Sequence, residues 1–166
     1  VESLTPQIRV FIKLEIIPIR LKKLTYYFKD LKDWADARKI VINHDGFGPL
    51  NSPKVFPVNS VKAMRGSFMF LDEGGIENYL NSIFYAYWTD GLDISLEENL
   101  TSIVENLNVD SNKFLNFIQL QDTKDRLKNN TQELIDKGGF GSPTFFVNEK
   151  DMYFGQDRIS LIEMLL

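Results

Sequence analysis

The segment that decides the fold is Gly139–Arg158, which reads GFGSPTFFVNEKDMYFGQDR. Its β-branched and aromatic run Thr144–Val147 predicts one strand, and Met152–Phe154 predicts a second. The polar residues between the strands, Asn148–Asp151, predict a hairpin with a four-residue loop. After Gly155 the apolar spacing of the last residues predicts a closing helix. This part of the chain is therefore expected to be a β-hairpin followed by a helix.

Towards the N-terminus the hydrophobic period changes from that of a strand to that of a helix. Ile8–Ile17 alternates apolar and mixed positions and predicts a strand, which Pro18 ends. Leu21–Arg38 repeats its apolar residues every three or four positions and predicts a helix with a buried stripe. Lys39–Asn43 has the composition of a short strand, and the following Gly- and Pro-rich residues, 44–58, predict a loop or a lid.

Between this loop and the hairpin the sequence predicts a series of helices. They are expected to begin after Asn59 or Ser60, at Ile76, after Ser95 of the capping box Ser95–Glu98, at Asp110 and at Thr123. Their spacing predicts inward-facing side chains that include Val61, Met64, Phe68, Leu71, Leu80, Ile83, Phe84 and Tyr87. The class that follows is α/β with a large helical insertion over about residues 59–137.

Composition excludes several classes of function. The 166 residues suit one domain, and 43% apolar residues can form a normal core. The chain has 19 basic and 23 acidic residues without a basic cluster, so neither nucleic acid nor an anionic membrane is an expected partner. The sequence contains no cysteine, which excludes disulfide and thiol chemistry on the protein. One histidine, His44, argues against a histidine-rich metal centre, and no metal site is expected.

Five blocks of sequence resemble a known family. Gly139–Val147 and Phe154–Arg158 resemble the C-terminal signature of the DsbA-like, thioredoxin-fold family that holds 2-hydroxychromene-2-carboxylate isomerases and kappa-class glutathione transferases. The blocks that agree with it are Tyr27–Ala37, Phe56–Ser60 and Ala86–Trp88 with Asp93-Ile94. The order of the blocks over roughly residues 8–166 implies a thioredoxin-like α/β fold and a single domain, 1–166, that contains the helical insertion.

The chain also departs from the family pattern. Family members begin with a strand and a loop, Ser-x-Pro-Tyr-Ser, whose first serine activates the sulfur of glutathione. No stretch of this sequence matches that loop, so the catalytic residue is unknown. We expect that the N-terminal strand and helix of a larger protein are missing from the chain, because the strand at Ile8–Ile17 and the hairpin would otherwise have unpaired edges.

The resemblance implies glutathione as cofactor and assigns four residues to it. A cis Ser142–Pro143 peptide would offer backbone groups to the tripeptide, and Gln156 and Asp157, at the start of the last helix, would bind its γ-glutamyl end. Each assignment has a simpler alternative. Pro143 could be a trans residue that starts a strand, and Asp157 could be an ordinary helix N-cap. Arg158 is expected to support Asp157 or the surface.

The resemblance further implies a substrate pocket near Tyr27, Asp30, Trp34 and Asn59. The alternatives are ordinary packing with an Asp–Lys surface pair for the first three residues and a helix cap for Asn59. His44 has the chemistry of a general base, but a lone histidine in a Gly- and Pro-rich loop is more often a surface residue.

Two functions remain open. The first is a glutathione-dependent isomerase or transferase that acts on small aromatic-derived molecules, in the cytoplasm and as a possible homodimer. Its activity would depend on the missing N-terminal segment. The alternative is a non-catalytic thioredoxin-fold binding protein that lacks the active-site serine loop.

Overall fold

A computed structural model describes residues 19–42 and 58–166 of the chain. It divides into two compact units, Val1–Ile42 and Asn43–Leu166. The strand predicted at Ile8–Ile17, the loop around His44 and the first residues of the Phe56–Ser60 block lie outside the described residues. The single-domain interpretation of residues 1–166 stays a prediction.

The first unit contains helix α1, Ile19–Arg38, which confirms the predicted helix. The helix ends where Lys39 adopts a left-handed conformation with φ +56°, and the Ile40 N–H donates to the Ala35 carbonyl over 2.9 Å. Residues 39–42 form a turn and irregular chain, so the predicted short strand is wrong for these four residues. The left-handed Lys39 explains this, because a strand needs extended backbone.

The second unit confirms the predicted series of helices. The five helices are α2 Val61–Glu73, α3 Ile76–Trp88, α4 Glu97–Asn106, α5 Ser111–Gln119 and α6 Gln121–Asp136. Gly74 and Gly75, with φ +92° and +89°, make the break between α2 and α3. Both conformations favour glycine, as the sequence predicted.

The core of this helical region is centred on Tyr79. Its hydroxyl donates to the Ala63 carbonyl over 2.8 Å, and its ring stacks on Phe70 with centroids 4.4 Å apart. A Cβ added to Gly66 would lie 2.5 Å from both the Phe114 ring and the Tyr79 hydroxyl, so α2 approaches its neighbours more closely than an alanine would allow. Burial raises the pKa of the Tyr79 hydroxyl above its ordinary value of 10.0.

The inward faces of α2 and α3 were predicted only in part. Phe68, Ile83 and Tyr87 are buried as expected, whereas Met64, Leu71, Leu80 and Phe84 are exposed. The prediction placed one apolar stripe on each helix. In the structure α2 packs against α3, α5 and α6, and this wider contact buries small or polar-tipped residues such as Ala63, Gly66 and Tyr79 instead.

Helix caps show one correct and one wrong prediction. Asp110 caps α5, since its Oδ1 accepts from the Lys113 N–H over 2.7 Å. Ser95 does not form the predicted capping box, because its hydroxyl donates to Asp93 Oδ1 over 2.6 Å and α4 begins only at Glu97. The Ser95 hydroxyl is therefore hydrogen-bonded to the Asp93 carboxylate and does not cap α4.

The C-terminal segment is a two-stranded antiparallel hairpin of β1, Thr144–Val147, and β2, Asp151–Phe154. Asp151 pairs with Val147, so the loop has three residues, 148–150, and the predicted four-residue loop is wrong. The predicted closing helix is a 3₁₀ turn, Gln156–Arg158, followed by the five-residue α7, Ile159–Glu163.

The observed class is α/β, mostly helical with a small sheet, and the helices lie between α1 and the hairpin in sequence. This arrangement matches the predicted α/β class with a helical insertion. Within residues 19–42 and 58–166, no helix is both long and apolar enough to cross a bilayer.

Candidate functional site

The loop that precedes β1 contains a cis peptide bond between Ser142 and Pro143, which confirms the cis prediction. Two hydrogen bonds hold this loop on the hairpin. The Thr144 hydroxyl donates to the Gly141 carbonyl over 2.6 Å, and the Pro143 carbonyl accepts from the Gly155 N–H over 3.0 Å. The loop is thus fixed to its own strand and to the end of the neighbouring strand.

Ser142 is exposed on this loop. Among the described residues, no group is hydrogen-bonded to its backbone N–H or carbonyl. The donor and the acceptor lie just beyond the last ladder bond of the hairpin. They can therefore pair with one residue of an extended peptide, in the way that a strand is added to an exposed sheet edge.

Gly155 links the Asp157 carboxylate to the Ser142–Pro143 loop. It has φ +104°, and a Cβ added to it would lie 2.6 Å from Asp157 Oδ1. The carboxylate consequently lies against the Gly155 backbone, whose N–H is bonded to Pro143. The structure therefore brings together the two pairs of residues that the sequence singled out, Ser142-Pro143 and Gln156-Asp157.

The charged groups at this corner are exposed to solvent. Asp157 Oδ2 accepts from Arg158 Nη1 over 2.8 Å, and both side chains are about half exposed, so the expectation that Arg158 supports Asp157 holds. Asp157 makes no cap hydrogen bond, so the simple N-cap alternative is wrong. In the described parts of the chain the N–H groups of Gln156 and Asp157 have no acceptor.

The last helix contributes less to this site than the sequence predicted. A long helix with Gln156 and Asp157 at its start would offer a substantial partial positive charge. The observed turn of three residues and the five-residue α7 align few peptide dipoles. An anion at this corner would depend mainly on the individual N–H groups.

Two aromatic rings, which sequence reasoning did not assign to the site, lie beside the loop. Phe140 is 71% exposed, and its ring centroid is 4.7 Å from that of Phe154. A Cβ added to Gly141 would lie 2.5 Å from the Phe154 ring, so the glycine lets this ring approach the loop. The signal that could have found this pair is the Phe-Gly that directly precedes Ser142-Pro143.

Tyr27, Asp30 and Trp34 lie on α1, in the first unit. Their spacing of three and four places them on one face of the helix, and both aromatic side chains are exposed. The Lys–Asp pairs of α1 are Lys29–Asp33 and Lys32–Asp36, and the former raises the pKa of Lys29. Among the described residues Asp30 joins no ion pair, but its negative charge adds to the rise in the pKa of the neighbouring Lys29.

Asn59 lies in the second unit, immediately before α2. Its Oδ1 accepts from the N–H of Val61, the first residue of α2, over 3.1 Å, whereas the N-cap position is occupied by Ser60, which makes no side-chain cap hydrogen bond. No group of three or more His, Cys, Asp or Glu side chains within residues 19–42 and 58–166 could hold a metal ion.

Comparison with known proteins places these features in a family. The sequence model of one protein family, the DSBA-like thioredoxin domain, matches residues 6–166 of this chain. A solved structure of a 2-hydroxychromene-2-carboxylate isomerase aligns with a TM-score of 0.71 and 28% identity, over 88% of this chain and 66% of that chain. This likeness and the family match confirm the predicted DsbA-like thioredoxin fold.

Curated relatives carry the same name as that structure. A 2-hydroxychromene-2-carboxylate isomerase of Pseudomonas sp. (strain C18) is 29% identical over 143 residues, which are 85% of this chain and 61% of the relative. The one of Pseudomonas putida is also 29% identical, over 64% of its length, and that of Sphingobium xenophagum is 20% identical over 152 residues. The chain thus spans about three fifths of the length of the Pseudomonas relatives.

Proposed function

Because the chain belongs to the DSBA-like thioredoxin domain family, we propose that it acts as a glutathione-dependent isomerase of small aromatic-derived acids. The names of the relatives support the reaction class. The observation that carries the proposal is the corner where Gly155 joins the Ser142–Pro143 loop to the Asp157 carboxylate.

The residues at this corner fit the groups of glutathione. The N–H and carbonyl of Ser142, which are unpaired within residues 19–42 and 58–166, would hold the backbone of the tripeptide as one short antiparallel pairing. Asp157 Oδ1 would pair with the γ-glutamyl ammonium, and the N–H groups of Gln156 and Asp157 would hold the carboxylate beside it. When bound, glutathione supplies a sulfur nucleophile that can add reversibly to a carbon–carbon double bond.

The chain itself contributes orientation. Two hydrogen bonds fix the loop, from the Thr144 hydroxyl and from the Gly155 N–H, so Ser142 presents its backbone groups without further ordering. A site that is already ordered loses less entropy when the ligand binds. The group that would favour the thiolate is unassigned, since the family serine has no counterpart in this sequence.

The second candidate function is that of a non-catalytic binding protein with the same fold. A member of the family without the serine loop would bind glutathione or a related peptide without turnover. Free thiols have a pKa near ~8.5, so little thiolate forms at neutral pH without a stabilising group. The two candidates share the binding corner and differ in whether isomerisation accompanies binding.

Glutathione binding is tested by thermal unfolding. We expect a concentration-dependent rise in Tm with glutathione, because a ligand that binds only the folded state stabilises it. Asp157→Ala should abolish the rise, since it removes the partner of the ammonium. The matched control is Asp151→Ala, an exposed carboxylate at the other end of β2, which should keep it.

The outcomes separate the readings. No change in wild-type Tm at excess glutathione would reject the binding corner. A rise together with isomerisation of 2-hydroxychromene-2-carboxylate would support the enzyme, and a rise without isomerisation would support the binding protein.

We further propose that Tyr27, Asp30 and Trp34 on α1 contact the substrate, and we propose the same role separately for Asn59 in the second unit. A kappa-class type of activity, a homodimer and a cytoplasmic location remain part of the same proposal. They come from the family resemblance.

A further inference from the structure

We propose that the Phe140 ring is the surface on which the planar ring of the substrate stacks, so that Phe140 determines specificity for aromatic acids. This inference rests on the proposed function, because the aromatic character of the substrate comes from the names of the relatives. It adds a residue and a role that the sequence reasoning did not assign.

Exposure is the first observation. Phe140 is 71% exposed and Phe154 is 42% exposed, although the two rings touch each other. Aromatic side chains lose a large apolar area to a partner when they are covered, and aromatic pairs gain further from offset or tilted contact. This paired surface therefore favours a flat, apolar ligand over a polar or flexible one.

Rigidity is the second observation. The Gly139 N–H donates to the Leu134 carbonyl over 2.8 Å, and the Gly141 carbonyl accepts from the Thr144 hydroxyl over 2.6 Å. Both neighbours of Phe140 are thus hydrogen-bonded to regular elements, while its ring leans on Phe154 at 47°. A ring held in this way needs little ordering when a ligand stacks on it.

Position is the third observation. Phe140 precedes Ser142 by two residues, and two residues of extended chain span at most about 7 Å. The backbone groups of Ser142 are those proposed to hold the thiol peptide. The ring therefore lies within the reach of a molecule that reacts with a sulfur bound at Ser142, and its occupant is inferred to be the aromatic acid.

The test is equilibrium binding of chromone-2-carboxylate, a planar aromatic acid, measured by calorimetric titration of the whole chain with and without glutathione. We expect Phe140→Ala to raise the Kd about tenfold, which is the scale of losing one aromatic contact. Phe140→Tyr should keep the Kd within about twofold, because the ring is retained.

Phe84→Ala is the matched control, since Phe84 is 57% exposed on α3 and has no place in the proposed site. It should bind chromone-2-carboxylate as the wild type does. An unchanged Kd in Phe140→Ala, equal losses in Phe140→Ala and Phe84→Ala, or no binding by the wild type would overturn the inference. So would a smaller mass of Phe140→Ala in light scattering, because a second copy would then be what covers the ring.

These outcomes are distinguishable from failure of the proposed function. If glutathione leaves the Tm unchanged while chromone-2-carboxylate binding depends on Phe140, only the glutathione proposal fails. If glutathione raises the Tm while that binding is indifferent to Phe140, only this inference fails.

Discussion

The helical region, residues 61–136, and the hairpin region, residues 139–158, treat their polar groups in opposite ways. In the helices Tyr79 is buried, and its hydroxyl is satisfied by the Ala63 carbonyl. In the hairpin region the backbone of exposed Ser142 has no partner among the described residues, and the half-exposed Asp157 carboxylate lies against the Gly155 backbone. Buried polar groups must be paired, whereas exposed unpaired groups remain available to a ligand.

The difference separates the segments of the family resemblance that stabilise the fold from those that we propose bind a ligand. Asp93-Ile94, one of the matched segments, orders a turn through Ser95 and buries Ile94 in the core. The Ser142-Pro143 and Asp157 matches bury little and stabilise no helix. We therefore expect substitutions in the helical region to change stability and substitutions at the hairpin corner to change binding.

The largest expected effect is that of Gly66→Ala. The new Cβ would overlap the Phe114 ring and the Tyr79 hydroxyl, so α2 would have to move away from α3 and α5. We expect the free energy of unfolding to fall by about 3 kcal/mol, despite the better helix propensity of alanine. Urea unfolding would measure the fall. Asn78→Ala, on the exposed face of α3, is the control and should stay within about 0.5 kcal/mol.

An unchanged urea midpoint in Gly66→Ala would contradict the close packing that distinguishes the helical region.

A medium effect is expected at Tyr79, and it depends on pH. Tyr79→Phe removes the hydrogen bond to the Ala63 carbonyl and should cost about 1 kcal/mol near neutral pH. Since burial raises the folded-state pKa of Tyr79 above 10.0, its ionisation occurs first in the unfolded chain. The stability from this group is complete below pH 10 and is lost as the pH rises above it.

Urea unfolding of both proteins between pH 8 and 11 would measure this. The wild type should lose stability more steeply than Tyr79→Phe above about pH 10. Parallel pH profiles would show that Tyr79 is not protected from solvent in the folded protein.

The smallest expected effect lies in the hairpin loop, and it has the opposite sign. Glu149 has φ +62°, a left-handed conformation that costs a residue with a side chain about 1 kcal/mol. Glu149→Gly relieves this cost but adds entropy to the unfolded chain, so we expect a net gain of about 0.5 kcal/mol. Thermal unfolding would measure the gain. Lys150→Gly, outside the left-handed region, should lower the Tm instead.

A loss of stability in Glu149→Gly equal to that in Lys150→Gly would mean that the loop relaxes without strain.

Local patterns predicted much of this fold. The aromatic run Thr144–Val147, the double glycine at 74–75 and the cap at Asp110 each act within a few residues, and each was predicted correctly. The wrong predictions concern side chains whose burial depends on packing between elements that are distant in sequence. Met64 and Leu80 follow a helical apolar spacing, yet they are exposed because the packing of α2 and α3 selects another face.

The candidate site shows the same limit. The sequence indicated Ser142-Pro143 and Gln156-Asp157 as separate pairs, because no local rule says that strand pairing will align them. The β1–β2 register and the Gly155 N–H bond to the Pro143 carbonyl decide that alignment. Phe140 was missed for a related reason, since the contact of its ring with Phe154 depends on the same register.

Gly155 has a consequence for how this corner can evolve. Its N–H donates to the Pro143 carbonyl, which holds the Ser142–Pro143 half of the proposed site. The Asp157 carboxylate, which is the other half, occupies the space that a Cβ at Gly155 would need. A larger residue there would push the two halves apart and leave the distant helices undisturbed. Any residue with a side chain would also be strained at φ +104°, so this one position links the backbone conformation at the end of the hairpin to the geometry of the proposed ligand site.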